Sequence, residues 1–148
     1  MHTIQFQWFP FSDLSLNQLY SILTLRAEVF VVEQNCPYLD PDGKDPHAFH
    51  LLGTVDHQLV AYLRLFPPTT MTPYVFFGRV VTSKSARKLG YGKLLMQQLL
   101  QYCNIHFRDI EMKCSAQFYL KSFYETFGLL AYGDIYDEDG ISHIAMKK

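Results

Sequence analysis

The order of apolar stretches and turn signals predicts an α/β fold of the mixed (α+β) kind, with residues 1–148 forming one domain. Three observations carry this reading. Apolar residues recur with helical spacing in three places, and short apolar or alternating runs occur in seven others. Two turn signals, Asp56-His57 and Asp139-Gly140, join neighbouring runs into hairpins. An apolar run, a glycine turn, a periodic helix and a further short run follow one another from Tyr74 to Cys114, the pattern of a parallel, right-handed strand-helix-strand unit.

The elements follow in order. Thr3 to Phe9 alternates (Ile4, Phe6 and Trp8 against Gln5 and Gln7) and reads as a first strand ended by Pro10. Ser15 and Gln18 have capping-box spacing, and Leu16, Leu19, Tyr20, Leu23, Ala27 and Phe30 then mark a helix to about Glu33. Pro37 to Pro46 is the longest irregular segment and reads as a functional loop. Ala48 to Val55 and Gln58 to Phe66 form a hairpin closed by Pro67-Pro68, and Tyr74 to Val81 is a buried strand. A helix runs from Gly92 to about Asn104, a strand from Asp109 to Cys114, and a further helix from Gln117 to Phe127, stopped by Gly128. Leu129 to Tyr136 and Ile141 to Met146 make the last hairpin.

Bulk properties exclude several function classes. Net charge is −1 and no basic block exceeds two residues, whereas nucleic-acid binding needs clustered Lys and Arg. No apolar run approaches the length of a membrane span, and the first residues lack the charged and apolar regions of a secretory signal. Cys36, Cys103 and Cys114 are odd in number and widely spaced, as in reduced cysteines of a cytoplasmic protein. Asp40, Asp42 and Asp45 lack the ligand spacing and closing glutamate of a calcium loop, so no metal site is expected.

Arg87-Lys88-Leu89-Gly90-Tyr91-Gly92 lies between a strand and a helix. Glycines there let backbone N–H groups wrap an anion, and the helix N-terminus adds partial positive charge. That design suits a pyrophosphate and points to a nucleotide-like cofactor.

The same stretch resembles the Q/R-x-x-G-x-G/A acetyl-CoA loop of the GNAT N-acetyltransferases. Gln117-Phe118-Tyr119-Leu120-Lys121-Ser122-Phe123-Tyr124-Glu125-Thr126-Phe127-Gly128-Leu129 resembles their N-x-x-A-x-x-L/F-Y-x-x-x-G-F helix. Leu25 to Gln34 with Cys36-Pro37-Tyr38, and Glu138 to Ile144, resemble the ElaA-type branch. The resemblance implies a mostly antiparallel twisted sheet of about seven strands flanked by helices, with a central parallel strand-helix-strand. It also implies acetyl-CoA as co-substrate and no metal. The pyrophosphate is expected on Arg87, Lys88, Leu89, Gly90, Tyr91 and Gly92, and the pantetheine arm along the backbone of Val80, Val81 and Thr82, with a contact from Gln117. Leu120 stands where the motif has Ala, and Leu129 where it has Phe.

Tyr124 falls where the family places a general acid beside the CoA sulfur, while Tyr119, Tyr132 and Tyr136 read as packing residues. An unperturbed phenol has a pKa near 10 and can protonate a departing thiolate. The glutamate that serves some members as general base is replaced by Phe76. Glu33, His50, Glu111 and His143 remain as candidates, with Glu33 beside the functional loop and His143 on the last hairpin. Arg26 and Glu28 read as an ordinary surface pair, and the acidic 37–46 loop as an attractor for a cationic acceptor. Two functions follow. One is direct acetyl transfer from acetyl-CoA to a primary amine of a small molecule or peptide in a ternary complex; the other is a non-catalytic acyl-CoA-binding module. Neither calls for nucleic acid or a membrane, and the chain is expected as a monomer or homodimer.

Overall fold

The computed structural model describes residues 2–148. Seven strands form one sheet: β1 Gln5–Pro10, β2 Phe49–Val55, β3 Gln58–Phe66, β4 Val75–Thr82, β5 Met112–Gln117, β6 Leu130–Glu138 and β7 Ile141–Lys147, in the order β1-β2-β3-β4-β5-β7-β6. Only the β4–β5 pair is parallel among them. The helices are α1 Leu16–Arg26, α2 Tyr91–His106 and α3 Lys121–Glu125. α1 starts on the expected capping box, with Ser15 Oγ accepting from the Gln18 N–H and the Gln18 side chain accepting from the Ser15 N–H. It continues into a π-helical segment, Ala27–Glu33.

Strand periodicity sorts side chains to the two faces. On β3, Ala61, Leu63 and Leu65 pack with Leu95, Met96 and Leu99 of α2, while Tyr62 between them packs with Ile22, Leu25 and Val29 of the first helical segment. β4 begins in the same phase, with Val75 and Phe77 toward α2. Further along, Val80 lies on the α2 side and Val81 on the α1 side, so the phase has inverted. The ladder shows why: Arg64 opposes Gly78 but Tyr62 opposes Val81, one residue too many on β4. The extra residue is a β-bulge at Arg79, whose φ is +52°. Sequence periodicity missed it because apolar residues occupy both faces of the strand on either side of Gly78-Arg79, so no alternation reveals the change of phase.

Both hairpins turn where expected, with Asp56, His57, Asp139 and Gly140 all at positive φ, the conformation of a type I′ turn. Several boundaries differ: β1 is Gln5–Pro10 instead of Thr3 to Phe9, β5 starts at Met112 instead of Asp109, and α3 ends at Glu125 instead of Phe127. β5 extends to Gln117, with Met112, Cys114 and Ala116 buried in alternation, so the segment from Gln117 is not helical at its start. A 3-10 turn, Phe118–Leu120, follows before the short α3.

Arg26 is a larger departure, since it is fully buried. Its Nε donates to Asp40 Oδ2 and its Nη1 to Asp45 Oδ1, both at 2.7 Å. Arg64 reaches Asp45 at 2.9 Å and Asp42 at 2.6 Å, and Arg79 Nε lies 2.9 Å from Asp40 Oδ1 without hydrogen-bond alignment. Three guanidinium groups thus fasten the 37–46 loop to the sheet and first helix. The Arg26–Glu28 surface pair does not form, and the three aspartates are held by arginines instead of being free to draw in a cation. The partners lie 14 and 19 residues from Arg26, beyond any local pattern.

Candidate active site

The parallel pairing of β4 and β5 is brief. Only Val75 with Met112 and Phe76 with Lys113 are in register, while β5 goes on to pair with β7 as far as Gln117 opposite His143. The bulge at Arg79 twists β4 away from its neighbour. The facing edges of β4 and β5 are left unpaired there, and a cleft of about 860 Å³ opens between them. A free strand edge offers a row of backbone donors and acceptors to an extended partner.

Val80, Val81 and Thr82 line this cleft, as do Arg87, Gln117, Tyr124, Glu33 and His143, so one site gathers eight of the expected residues. Lys88, Leu89, Gly90, Tyr91 and Gly92 form the turn and first turn of α2 and lie outside the cleft's lining. Leu89 and Tyr91 border a separate, smaller hollow with Val55 and Val60. Gly90 is the N-cap of α2 with φ at +81°, and no side chain caps the helix there. The amides of that first turn therefore stay available to an anion. A Cβ at Gly92 meets nothing closer than Phe123 at 3.6 Å, so protein packing alone does not demand glycine at that position. The open β4 edge thus offers backbone partners to an extended molecule, and the uncapped α2 N-terminus offers donors to an anion.

Tyr124 is buried beside the cleft, edge-on to Phe123 and tilted against Phe77. Burial, with smaller effects from Cys114 and Tyr119, pushes its phenol well above the ordinary tyrosine range, so it stays protonated. Burial also pushes the nearby Cys114 thiol up to about 12, leaving it neutral and a poor nucleophile.

Among the base candidates, His143 sits 2.7 Å from the Ile141 carbonyl through Nδ1. A carbonyl only accepts, so Nδ1 carries the hydrogen, and Nε2 is left to accept a proton, with Glu138 Oε2 at 3.3 Å. Tyr136 stacks on the ring at 6.0 Å. Glu33 pairs with Arg87 at 2.6 Å, and that hydrogen bond holds its carboxyl below the usual range. His50 is enclosed elsewhere, between the Tyr62 hydroxyl at 2.7 Å and the Asp45 carbonyl at 3.0 Å. Glu111 faces Lys113 and Lys147 outside the cleft. Neither His50 nor Glu111 reaches the site.

The cleft also contains residues to which the sequence assigned no role at the site, among them Gln34, Cys36 and Tyr119. Gln34 and Gln117 exchange amide hydrogen bonds at 3.1 and 3.4 Å. Cys36 Sγ donates to the Asp139 carbonyl at 3.2 Å. Tyr119, read as packing, is 70% exposed and borders the cleft. Arg79 carried a signal, a charge inside an apolar strand, that marks both the bulge and its ion pair.

Comparison with known proteins agrees with this geometry. The sequence model of the family described as "Acetyltransferase (GNAT) domain" matches residues 27–148. Protein ElaA of Escherichia coli is 42% identical over 147 residues, covering 98% of this chain and 96% of its own. A UPF0039 protein of Synechocystis is 45% identical over 144 residues, with 97% and 94% covered. The crystal structure of an acyl-CoA N-acyltransferase from Pseudomonas aeruginosa superposes with a TM-score of 0.93 at 41% identity, covering 99% of both chains. That of Escherichia coli ElaA gives 0.91 at 40% identity and the same coverage. Cleft, glycine turn and end-to-end similarity converge: the chain belongs to the GNAT acetyltransferase family, in its ElaA-type branch.

Proposed function

We propose that this protein is an N-acetyltransferase that moves an acetyl group from acetyl-CoA directly to a primary amine of a small-molecule or peptide acceptor. The family supports acyl transfer in general. The observation that carries the finer reading is the opening between β4 and β5, which brings Tyr124 and His143 to the same cleft as the exposed edge of Val80, Val81 and Thr82. The co-substrate supplies a thioester-activated acetyl group. Arg87 and the amides from Lys88 to Gly92 hold its diphosphate, and the β4 edge and Gln117 hold its arm. Backbone N–H groups of β4 also offer a donor to the thioester carbonyl.

Tyr124 keeps its proton at neutral pH and delivers it to the departing sulfur. His143 accepts the amine's proton at Nε2, directly or through water, while Nδ1–H anchors the ring to Ile141 and Glu138 faces the imidazolium. Glu33, held by Arg87, is the weaker candidate for that step. The neutral Cys114 thiol favours direct transfer in a ternary complex over an acyl-cysteine route. Phe76 at the usual base position lines the cleft and keeps a second reading open, a non-catalytic acyl-CoA-binding module. A panel of polyamines, amino acids, aminoglycosides and lysine peptides, mixed with acetyl-CoA while free thiol is followed, separates the two. Acetyl transfer predicts thiol release matched by acetylated amine; CoA binding with no release on any amine supports the module.

A further inference from the structure

The end of the first helical segment crosses the cleft on three side-chain contacts, each to a different element. Glu33 meets Arg87 at the glycine turn, Gln34 meets Gln117 at the end of β5, and Cys36 meets the Asp139 carbonyl in the β6–β7 turn. The first differs from the others in kind. Arg87 Nη1 and Glu33 Oε1 are 2.6 Å apart, a close charge-assisted contact, yet the side chains are 37% and 28% exposed and both border the cleft. Neither is locked by packing. Arg87 is at the same time on the short turn that leads into the uncapped amides of α2, just ahead of the N-cap Gly90. A carboxylate therefore occupies the guanidinium that an incoming phosphate needs.

Resting on the acyl-CoA reading of the cleft, we propose that Glu33 is a placeholder anion. It holds Arg87 in the empty enzyme and yields it to the CoA diphosphate on loading, so that it sets how tightly CoA is held and how fast it leaves. Glu33 is then a positioning residue acting through Arg87, with no contact to the reacting atoms required. The chemistry gives the sign. A guanidinium engaged by a carboxylate has to give up one charge-assisted bond to gain another, so part of the phosphate's attraction is offset before it arrives. Without the carboxylate only a neutral partner or water has to be displaced, so the exchange costs less. A strut whose only task is to keep the helix end in place gives the opposite sign, because its loss loosens the site and weakens binding.

Titration calorimetry and stopped-flow dissociation of CoA test this with Glu33→Gln, Arg87→Ala and the double variant. Glu33→Gln is expected to bind CoA roughly two- to fivefold more tightly, in line with a partly exposed ion pair, and to release it more slowly. Arg87→Ala is expected to bind more weakly, and adding Glu33→Gln to it is expected to change affinity no further. Acetyl-pantetheine, which lacks the diphosphate, is expected to bind Glu33→Gln and the parent alike. Unchanged or weaker CoA binding in Glu33→Gln overturns the placeholder role. Equal tightening with and without Arg87 overturns it too, because that result is plain charge repulsion. Failure of the parent protein to bind CoA at all contradicts the underlying acyl-CoA reading instead.

Discussion

Tyr124 carries the largest expected effect of any single side chain. Its hydroxyl is the only group that Tyr124→Phe removes, and the ring keeps its packing against Phe77 and Phe123. Loss of a general acid lowers kcat by about 10²–10⁴-fold with KM for acetyl-CoA little changed, which steady-state kinetics on an accepted amine will show. The pH dependence follows from the raised phenol. An acid acts only while protonated, and burial moves loss of that proton above the ordinary value near 10. Activity of the parent protein is therefore expected to show no alkaline decline from Tyr124 between about pH 7 and 10. A drop near pH 8 that disappears in Tyr124→Phe contradicts the assignment. Tyr124 could be singled out in the sequence because it falls at a motif position. Gln34, Cys36 and Tyr119 lie in matched stretches too, but at no position with an assigned role, and their place at the cleft follows only from where the chain folds.

Among the elements, the 37–46 loop depends most on pairings distant in sequence. Arg26 has no exposed surface, and without it Asp40 keeps only Arg79, and Asp45 only Arg64, as an ionic partner. Removing one partner of a buried ion pair costs about 3–5 kcal/mol, so Arg26→Met is expected to lower Tm on the order of 10 °C in a thermal melt. The acid limb of stability has two sources. Burial lowers the affinity of His50 for a proton, and protonating it favours the unfolded chain, so its contribution is full above about pH 6.5 and fades as pH falls below that. The hydrogen bond from Arg64 holds the Asp42 carboxyl well below its usual range. Burial pushes Asp45 up, but Arg26 and Arg64 together outweigh it and leave it lowered. Their stabilisation is complete above about pH 4–5 and is lost as pH falls through the depressed folded values. Urea melts across pH 3–8 are expected to show both declines, with only the upper one flattened in His50→Gln. The loop's irregularity was plain from its prolines and glycine. Its anchoring was not, because each arginine and aspartate sits on a different element.

For the whole molecule, a local bulge produces the site. One extra residue at Arg79 inverts the face of β4, turns the strand from β5 and leaves two free edges over a cleft of about 860 Å³. The seven strands, three helices and parallel centre could be read from periodicity, turns and the resemblance together, because hydrophobic patterning is written locally. The split between β4 and β5 was not, since it arises from pairing partners that only the assembled sheet defines. Similarly, the first helical segment, the 37–46 loop and the β6–β7 hairpin lie apart in sequence and meet around the cleft, where we propose that they select the acceptor. The central claim is that this split receives acyl-CoA and leads its sulfur to Tyr124. A crystal structure of the protein with bound CoA tests it most directly. The account predicts the diphosphate on the Arg87 to Gly92 turn, the arm hydrogen-bonded along Val80 to Thr82, and the sulfur beside the Tyr124 hydroxyl. CoA bound elsewhere, or in the cleft with its sulfur turned away from Tyr124, would contradict it.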